Sequence, residues 1–180
     1  MFKPVSFENE NLLIHPLRPE DLNRYDDIVN DIYKILSDEK TLKFLPSKRL
    51  NNLSEAGVFL NNMIINYHSN RNYLHFITKK NSGKVIGLID LISPNVAMEH
   101  YKIEHYPFFI EFYLSGNSCG CAIMSNILPP IIDLILDQGI TSIGAIVHSK
   151  NIAARKVLEK SKFTYSAKFD RIQDLFKTIG

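Results

Sequence analysis

The stretch from Phe108 to Met124 constrains the fold more than any other part of the chain. It opens with Phe-Phe-Ile-Glu-Phe-Tyr-Leu, a strand signal in which Glu111 is the one carboxylate among apolar residues. Eight small or polar residues follow, Ser115 to Ala122, and a helix opens around Cys119-Gly120. Small side chains let backbone N–H groups approach an anion closely, and a helix N-terminus adds partial positive charge. The turn therefore suits a phosphate, although a plain tight turn is the other reading. It matches neither the Walker pattern nor the dinucleotide fingerprint.

Around this stretch the chain alternates hairpins with crossovers. Leu12–His15 reads as a first strand, and Pro19-Glu20-Asp21-Leu22 starts a helix whose face is Leu22, Tyr25, Ile28, Val29, Ile32 and Ile35. A second helix runs from Ser54 to about Tyr67. Strands at 74–78 and 85–91 flank the turn Lys80-Asn81-Ser82-Gly83. Further strands are expected at 142–148, 163–169 and 172–179, with a helix at 153–160. The order predicts an α/β (α+β mixed) fold, a mostly antiparallel sheet of six to seven strands flanked by about four helices. Pro129-Pro130 falls inside the helix after the small-residue turn and predicts a kink or break there.

No linker or repeat divides the 180 residues, so one domain over 1–180 is expected. Lys+Arg 21 against Asp+Glu 19 leaves a net charge of +2, without the basic footprint of a nucleic-acid binder. No apolar stretch is long enough for a signal peptide or membrane span. The only cysteines, Cys119 and Cys121, are too close for an ordinary structural disulfide, and no second Cys/His pair completes a metal site. A cytoplasmic protein without metal is the expectation.

A second stretch carries the rest of the signal. Asn151-x-Ala153-Ala154-Arg155-x-x-Leu158-Glu159-Lys160-x-x-Phe163 follows a strand and reads as an Asn-capped helix. Together with Asn117-x-x-Gly120-x-Ala122 it resembles the GNAT superfamily of acyl-CoA-dependent N-acetyltransferases, whose pyrophosphate loop is commonly Arg/Gln-x-x-Gly-x-Gly/Ala. The opening Leu12-Leu13-Ile14-His15-Pro16-Leu17-Arg18-Pro19-Glu20-Asp21-Leu22 and the hairpin Gly83-Lys84-Val85-Ile86-Gly87 are most similar to the RimJ/RimL-type branch, named for ribosomal-protein N-terminal acetyltransferases. The resemblance spans roughly residues 10 to 170.

That resemblance implies a three-layer fold split between the fourth and fifth strands, 108–114 and 142–148, with acetyl-CoA inserted as if it were a strand. It implies pantetheine contacts from Phe112, Tyr113 and Leu114, and from the Asn151 amide. Pyrophosphate contacts would come from the N–H groups of Asn117, Ser118, Cys119, Gly120, Cys121, Ala122 and Ile123, and a phosphate contact from Arg155. An amine would attack the thioester directly, with Glu111 as the candidate base, raised in pKa by burial. The family's frequent strand glutamate falls two residues earlier, at Phe109. Its Tyr acid falls at Leu158, and the branch's common Ser falls at Ala154.

The acceptor expected is a primary amine, of a protein N-terminus or a small molecule, and the enzyme a monomer or homodimer. Two hydroxyls missing at Leu158 and Ala154 leave a second reading, a catalytically silent acyl-CoA-binding module. Among smaller signals, Tyr101, His105 and Tyr106 read mainly as a loop packing on the sheet, and His148 as a satisfied edge histidine. Asp90 and Glu99 are candidates for holding a cationic amine.

Overall fold

Residues 2–178 are described in the computed structural model. The turn Lys80–Gly83 joins two long strands, β3 (Asn72–Lys79) and β4 (Val85–Ile92), because Gly83 takes φ +67° and returns its N–H to the Lys79 carbonyl at 2.8 Å. Every residue of β4 is buried, as expected of a strand covered on both faces. The remaining strands are β1 (Phe7–Glu8), β2 (Leu12–Pro16), β5 (Phe108–Leu114), β6 (Ile143–His148), β7 (Phe163–Lys168) and β8 (Gln173–Thr178). They build one sheet in the order β1-β2-β3-β4-β5-β6-β8-β7, antiparallel except for β5 and β6.

Alternation along β5 assigns the two faces. Ile110, Phe112 and Leu114 pack toward α5 (Ile123–Leu136) and α6 (Ile152–Lys160), in a core that holds Met124, Ile127, Ile131 and Leu158. Tyr113, on the other face, meets α1 (Tyr25–Leu36) and α3 (Leu53–His68) through Ile28, Ile32 and Leu60. Phe109, on that same face, joins a smaller cluster with Val96 and Ala97 of α4 (Pro94–His100). Helices on both faces of one mixed sheet give the three layers that the sequence predicts.

Several expectations change in detail. The sheet has eight strands and the described residues form six α-helices, against six to seven and about four. The added strand β1 is two residues long, too short for alternation. It is turned onto β2 by the Asn9 side chain, which accepts from Asn11 and Leu12 N–H at 3.0 and 2.9 Å. The added helices α2 (Glu39–Leu42) and α4 are short segments capped by Asp38 and Ser93. With β1 counted, the expected split falls between β5 and β6.

Residues 19–24 form a 3-10 turn, whose three-residue period takes Leu22 off the buried face and leaves it 55 % exposed. Helix α5 starts at Ile123, after a 3-10 turn at Gly116–Ser118, and runs unbroken through Pro129 and Pro130. The carbonyls that lose their partners belong to half-buried Ser125 and exposed Asn126, while the fully buried Ile127, Leu128, Ile131 and Ile132 hold the helix to the sheet. The last strand ends at Thr178; Ile179, where the sequence reading put its end, lies outside the described residues.

Candidate active site

Strands β5 and β6 pair only at Phe108↔Ile143 and Phe109↔Gly144. Beyond that point β6 stays with β8 from Gly144↔Lys177 to His148↔Gln173, and β5 stays with β4 as far as Gly87↔Leu114. The two strands therefore part and open a cleft of about 520 Å³. Gly144 sits at the parting point, where a Cβ would lie 2.7 Å from the Phe109 ring. Phe109 is 1 % exposed, so the position of the family's frequent glutamate is a packed wedge here.

Backbone alternation decides which groups of β5 face the cleft. Ser115 donates to the Ile86 carbonyl of β4 at 2.8 Å, so Tyr113 also turns its main-chain groups to β4, opposite Leu88. Phe112 and Leu114 point theirs the other way. Of the three expected pantetheine contacts, Tyr113 is thus committed to the sheet. The Leu114 carbonyl already accepts from the Thr41 hydroxyl at 2.7 Å, which leaves its N–H.

The small-residue loop is folded by its own hydrogen bonds. Ser118 and Cys119 donate N–H to the carbonyls of Ser115 and Gly116. Gly120 and Ala122 are left-handed, at φ +83° and +54°, and Ala122 caps α5. No hydrogen bond among the described residues uses the N–H of Gly120, Cys121 or Ala122, and the first-turn amides of α5 have no helical partner. A Cβ on Gly120 would meet nothing within 4 Å. Of the span from Asn117 that the sequence suggests, Ser118 and Cys119 thus spend their N–H groups inside the loop, and the unbroken run of free amides beside the cleft starts at Gly120. Asn117 is exposed and does not line the cleft; Ser118, Cys119, Gly120, Ala122 and Ile123 do. Cys121 faces a separate surface hollow with Asn126. Burial raises the Cys119 thiol pKa, the opposite of an activated thiolate.

On α6, the Asn151 side-chain oxygen caps the helix by accepting from Ala154 N–H at 3.2 Å, and its amide nitrogen remains free. Ala154 and Leu158 both line the cleft, so the two missing hydroxyls are missing from its wall. Arg155 does not reach it. Its guanidinium donates to the Ser149 carbonyl at 3.2 Å, lies 3.5 Å from Asp174 and stacks over Phe176. The cations on the cleft wall are Lys156, one residue on, and Lys40 of α2. Neither position carries a signal in one sequence.

At the other end of the cleft stand side chains from several elements. Glu111, a quarter exposed, lines the cleft, and its Oε2 accepts from Lys48 Nζ and from the Tyr113 hydroxyl, both at 2.7 Å. Its partners are thus a cation and a phenol rather than an apolar wall. Burial pushes the Tyr113 hydroxyl pKa well up, with the Glu111 charge adding to it.

Asp90 lies opposite Glu111 in the β4–β5 ladder, accepts from Asn72 at 2.6 Å through Oδ2, and has no partner for its buried Oδ1. Burial, with help from the Glu111 charge, raises its pKa to about 7 against the Asn72 hydrogen bond and the Lys48 charge. Glu99 is turned to the surface, clasped by Arg71 at 2.6 and 3.0 Å. Tyr101 packs on Phe109 at 4.8 Å and accepts from Tyr106 through its carbonyl, as a packing loop should; burial, then the charges of Glu111 and Asp90, push its hydroxyl up to about 12. His148 stands on the cleft wall against Phe44, ring centres 5.0 Å apart. Its Nδ1 accepts from Lys150 N–H at 3.1 Å, which leaves the neutral ring's proton on Nε2.

Among the described residues the mixed sheet parts beside its one parallel pair, with free helix-terminal amides at one end of the cleft and a carboxylate at the other, a geometry that suits an acyl-CoA-dependent transferase. The sequence agrees, because the acetyltransferase (GNAT) domain matches residues 11–164. The chain belongs to the GNAT acetyltransferase family and is an N-acetyltransferase by class. No curated protein sequence matches it.

Among solved structures it is similar to ribosomal-protein-S5-alanine acetyltransferase from Vibrio fischeri, with TM-score 0.72, 19% identity, and coverage of 97% of this chain and 96% of that one. It is also similar to RimL, a ribosomal L7/L12 alpha-N-protein acetyltransferase in complex with coenzyme A (TM-score 0.70, 14% identity, 97% and 98% covered). A third is the microcin C7 self-immunity acetyltransferase MccE, in complex with acetyl-CoA and AMP (TM-score 0.68, 15% identity, 96% and 94% covered). At these identities the likeness is one of fold. No helix among the described residues is long and apolar enough to cross a membrane.

Proposed function

We propose that the chain transfers the acetyl group of acetyl-CoA to a primary amine, of a protein N-terminus or a small molecule, by direct attack in a ternary complex. The observation that carries this reading is the parting of β5 and β6 after two paired residues, which leaves main-chain groups of Phe112 and Leu114 facing a cleft with free amides at one end and Glu111 at the other. The fold relatives that modify ribosomal proteins support a protein N-terminus as one acceptor.

Acetyl-CoA, when bound, supplies an acetyl group already activated as a thioester. The amides from Gly120 through the first turn of α5 hold the pyrophosphate, with Lys40 and Lys156 nearby as counter-charges. Phe112 and the Leu114 N–H pair with the pantetheine amides, and the Asn151 amide nitrogen adds a donor. Glu111 accepts the proton of the incoming ammonium so that nitrogen attacks with its lone pair. His148 Nε2–H, on the cleft wall, donates to the departing thiolate in place of the hydroxyl absent at Leu158, a role supported by its exposure to the cleft.

Calorimetry with acetyl-CoA followed by a screen of amines tests the proposal. Micromolar binding with turnover on some amine is the expected outcome, and no binding at millimolar acetyl-CoA defeats it. The wall of Ala154 and Leu158 also favours a second reading, a module that binds acetyl-CoA without transferring it; binding with no turnover on any amine decides for that module.

A further inference from the structure

An amine already sits at the base. Lys48 Nζ lies 2.7 Å from Glu111 Oε2, and Lys48 is also close enough for its charge to act on Asp90. Each other lysine ion pair among the described residues meets a carboxylate away from the cleft: Lys80 with Glu8, Lys162 with Asp133, Lys168 with Asp174. Lys48 is not a tail that drifted there. It ends a 3-10 turn closed by Lys48 N–H to the Leu45 carbonyl, and the next residue, Arg49, is tied to the Ser37 carbonyl and to Glu39. The turn follows directly on Phe44 and Leu45, which line the cleft. The side chain remains 42 % exposed, so it is accessible and free to change rotamer.

We propose that Lys48 occupies the acceptor-amine subsite of the free enzyme and is itself an acetyl acceptor, a modification that releases Glu111. The inference rests on the acetyltransferase reading above. Glu111 takes one proton from the Lys48 ammonium. The neutral Nζ then attacks the thioester carbonyl, the N–C bond forms and the C–S bond breaks. Coenzyme A leaves as the thiolate and is protonated to the thiol, the amide nitrogen losing its second proton to solvent. No oxidant or further reactant is needed. The product is a neutral amide that no longer pairs with a carboxylate, so the subsite opens to an external primary alkylamine.

The test incubates the full chain with acetyl-CoA and follows each lysine by peptide mass spectrometry. Exposed Lys34 and Lys102 serve as internal references for uncatalysed acetylation. Lys48 should gain one acetyl group ahead of both, and Glu111→Gln should slow that gain by about tenfold or more. Acetylation of Lys48 no faster than the references, in a preparation that binds acetyl-CoA by calorimetry, overturns the proposal and leaves the acetyltransferase reading standing. Failure to bind acetyl-CoA at all overturns both. A readout without acetyl-CoA is the Lys48 Nζ resonance, which should shift in Glu111→Gln; an unmoved resonance means that the amine is not held there in solution.

Discussion

The two ends of the cleft are built by different means. The phosphate end is made of main chain: a loop of small residues, two left-handed positions at Gly120 and Ala122, and the open first turn of α5. The amine end is made of side chains brought from β4, β5 and the turn after α2, where Glu111, Tyr113, Lys48 and Asp90 converge. The first holds a ligand common to a whole family and needs only shape and N–H groups. The second must discriminate an acceptor and needs particular side chains, and there the family's glutamate position is filled by the packed ring of Phe109.

If that division is right, damage at the two ends should separate cleanly. Glu111→Gln should lower turnover by about a hundredfold and leave acetyl-CoA affinity unchanged. A wild-type rate across pH would remove Glu111 from the proton transfer. At the opposite end, Gly120→Val should weaken acetyl-CoA binding by about tenfold or more, because a β-branched residue at φ +83° strains the loop and fills the side open to the ligand. Gly139 makes the control. It too is left-handed, at φ +86°, with nothing near a Cβ, but it lies beyond the far end of α5. Gly139→Val should cost comparable stability in thermal melts without touching acetyl-CoA affinity. Equal affinity losses in both variants would mean that strain alone, not loss of a phosphate cradle, explains the Gly120 result.

The same division explains what could be read in advance. The fold class and the strand-to-helix turn are written locally, in the apolar run at Phe108–Leu114, the small residues after it and the Asn151 cap, whereas the split is legible only through the resemblance to the family. Two-residue β1 and four-residue α2 are fixed by single Asx caps, which no periodicity announces. The direction of Arg155 depends on Asp174 and Ser149, and that of the Tyr113 main chain on its register with Leu88; both are tertiary facts. Lys48 lies in a loop 63 residues before its partner, a separation at which one sequence carries no signal.

The junction between the two ends is the parting of β5 from β6, and it offers a smaller perturbation. Gly144 leaves the space that the Phe109 ring fills, with three ring carbons within 3.0 Å of an added Cβ. Gly144→Ala should destabilise the chain by about 1–3 kcal/mol in urea titration. Phe109→Leu, introduced with it, should recover part of that loss through direct coupling of the two sites. Simple additivity of the two changes would show that the ring does not set where the strands part.

The last expected effect is spread over pH and concerns the charge held at the amine end. Asp90 keeps its proton in the folded chain up to about pH 7, against an ordinary value of 3.8. Below that ordinary value both states are protonated and stability is unaffected. From about pH 4 to about pH 7 the unfolded chain ionises while the folded chain does not, so stability falls with a slope of up to about 1.4 kcal/mol per pH unit, and it levels above. Buried His75, pushed down to about 4 from 6.5 by desolvation, acts in the opposite sense: the unfolded chain binds the extra proton, and stability rises across that window. The two slopes oppose each other in the wild type. Asp90→Asn removes one of them, so the variant's stability relative to wild type should climb from about pH 4 to about pH 7 in urea midpoints, and then hold level. Parallel curves would mean that Asp90 is ionised in the fold. The amine end would then hold two carboxylates against Lys48, a subsite tuned to bind a cation more than to take its proton.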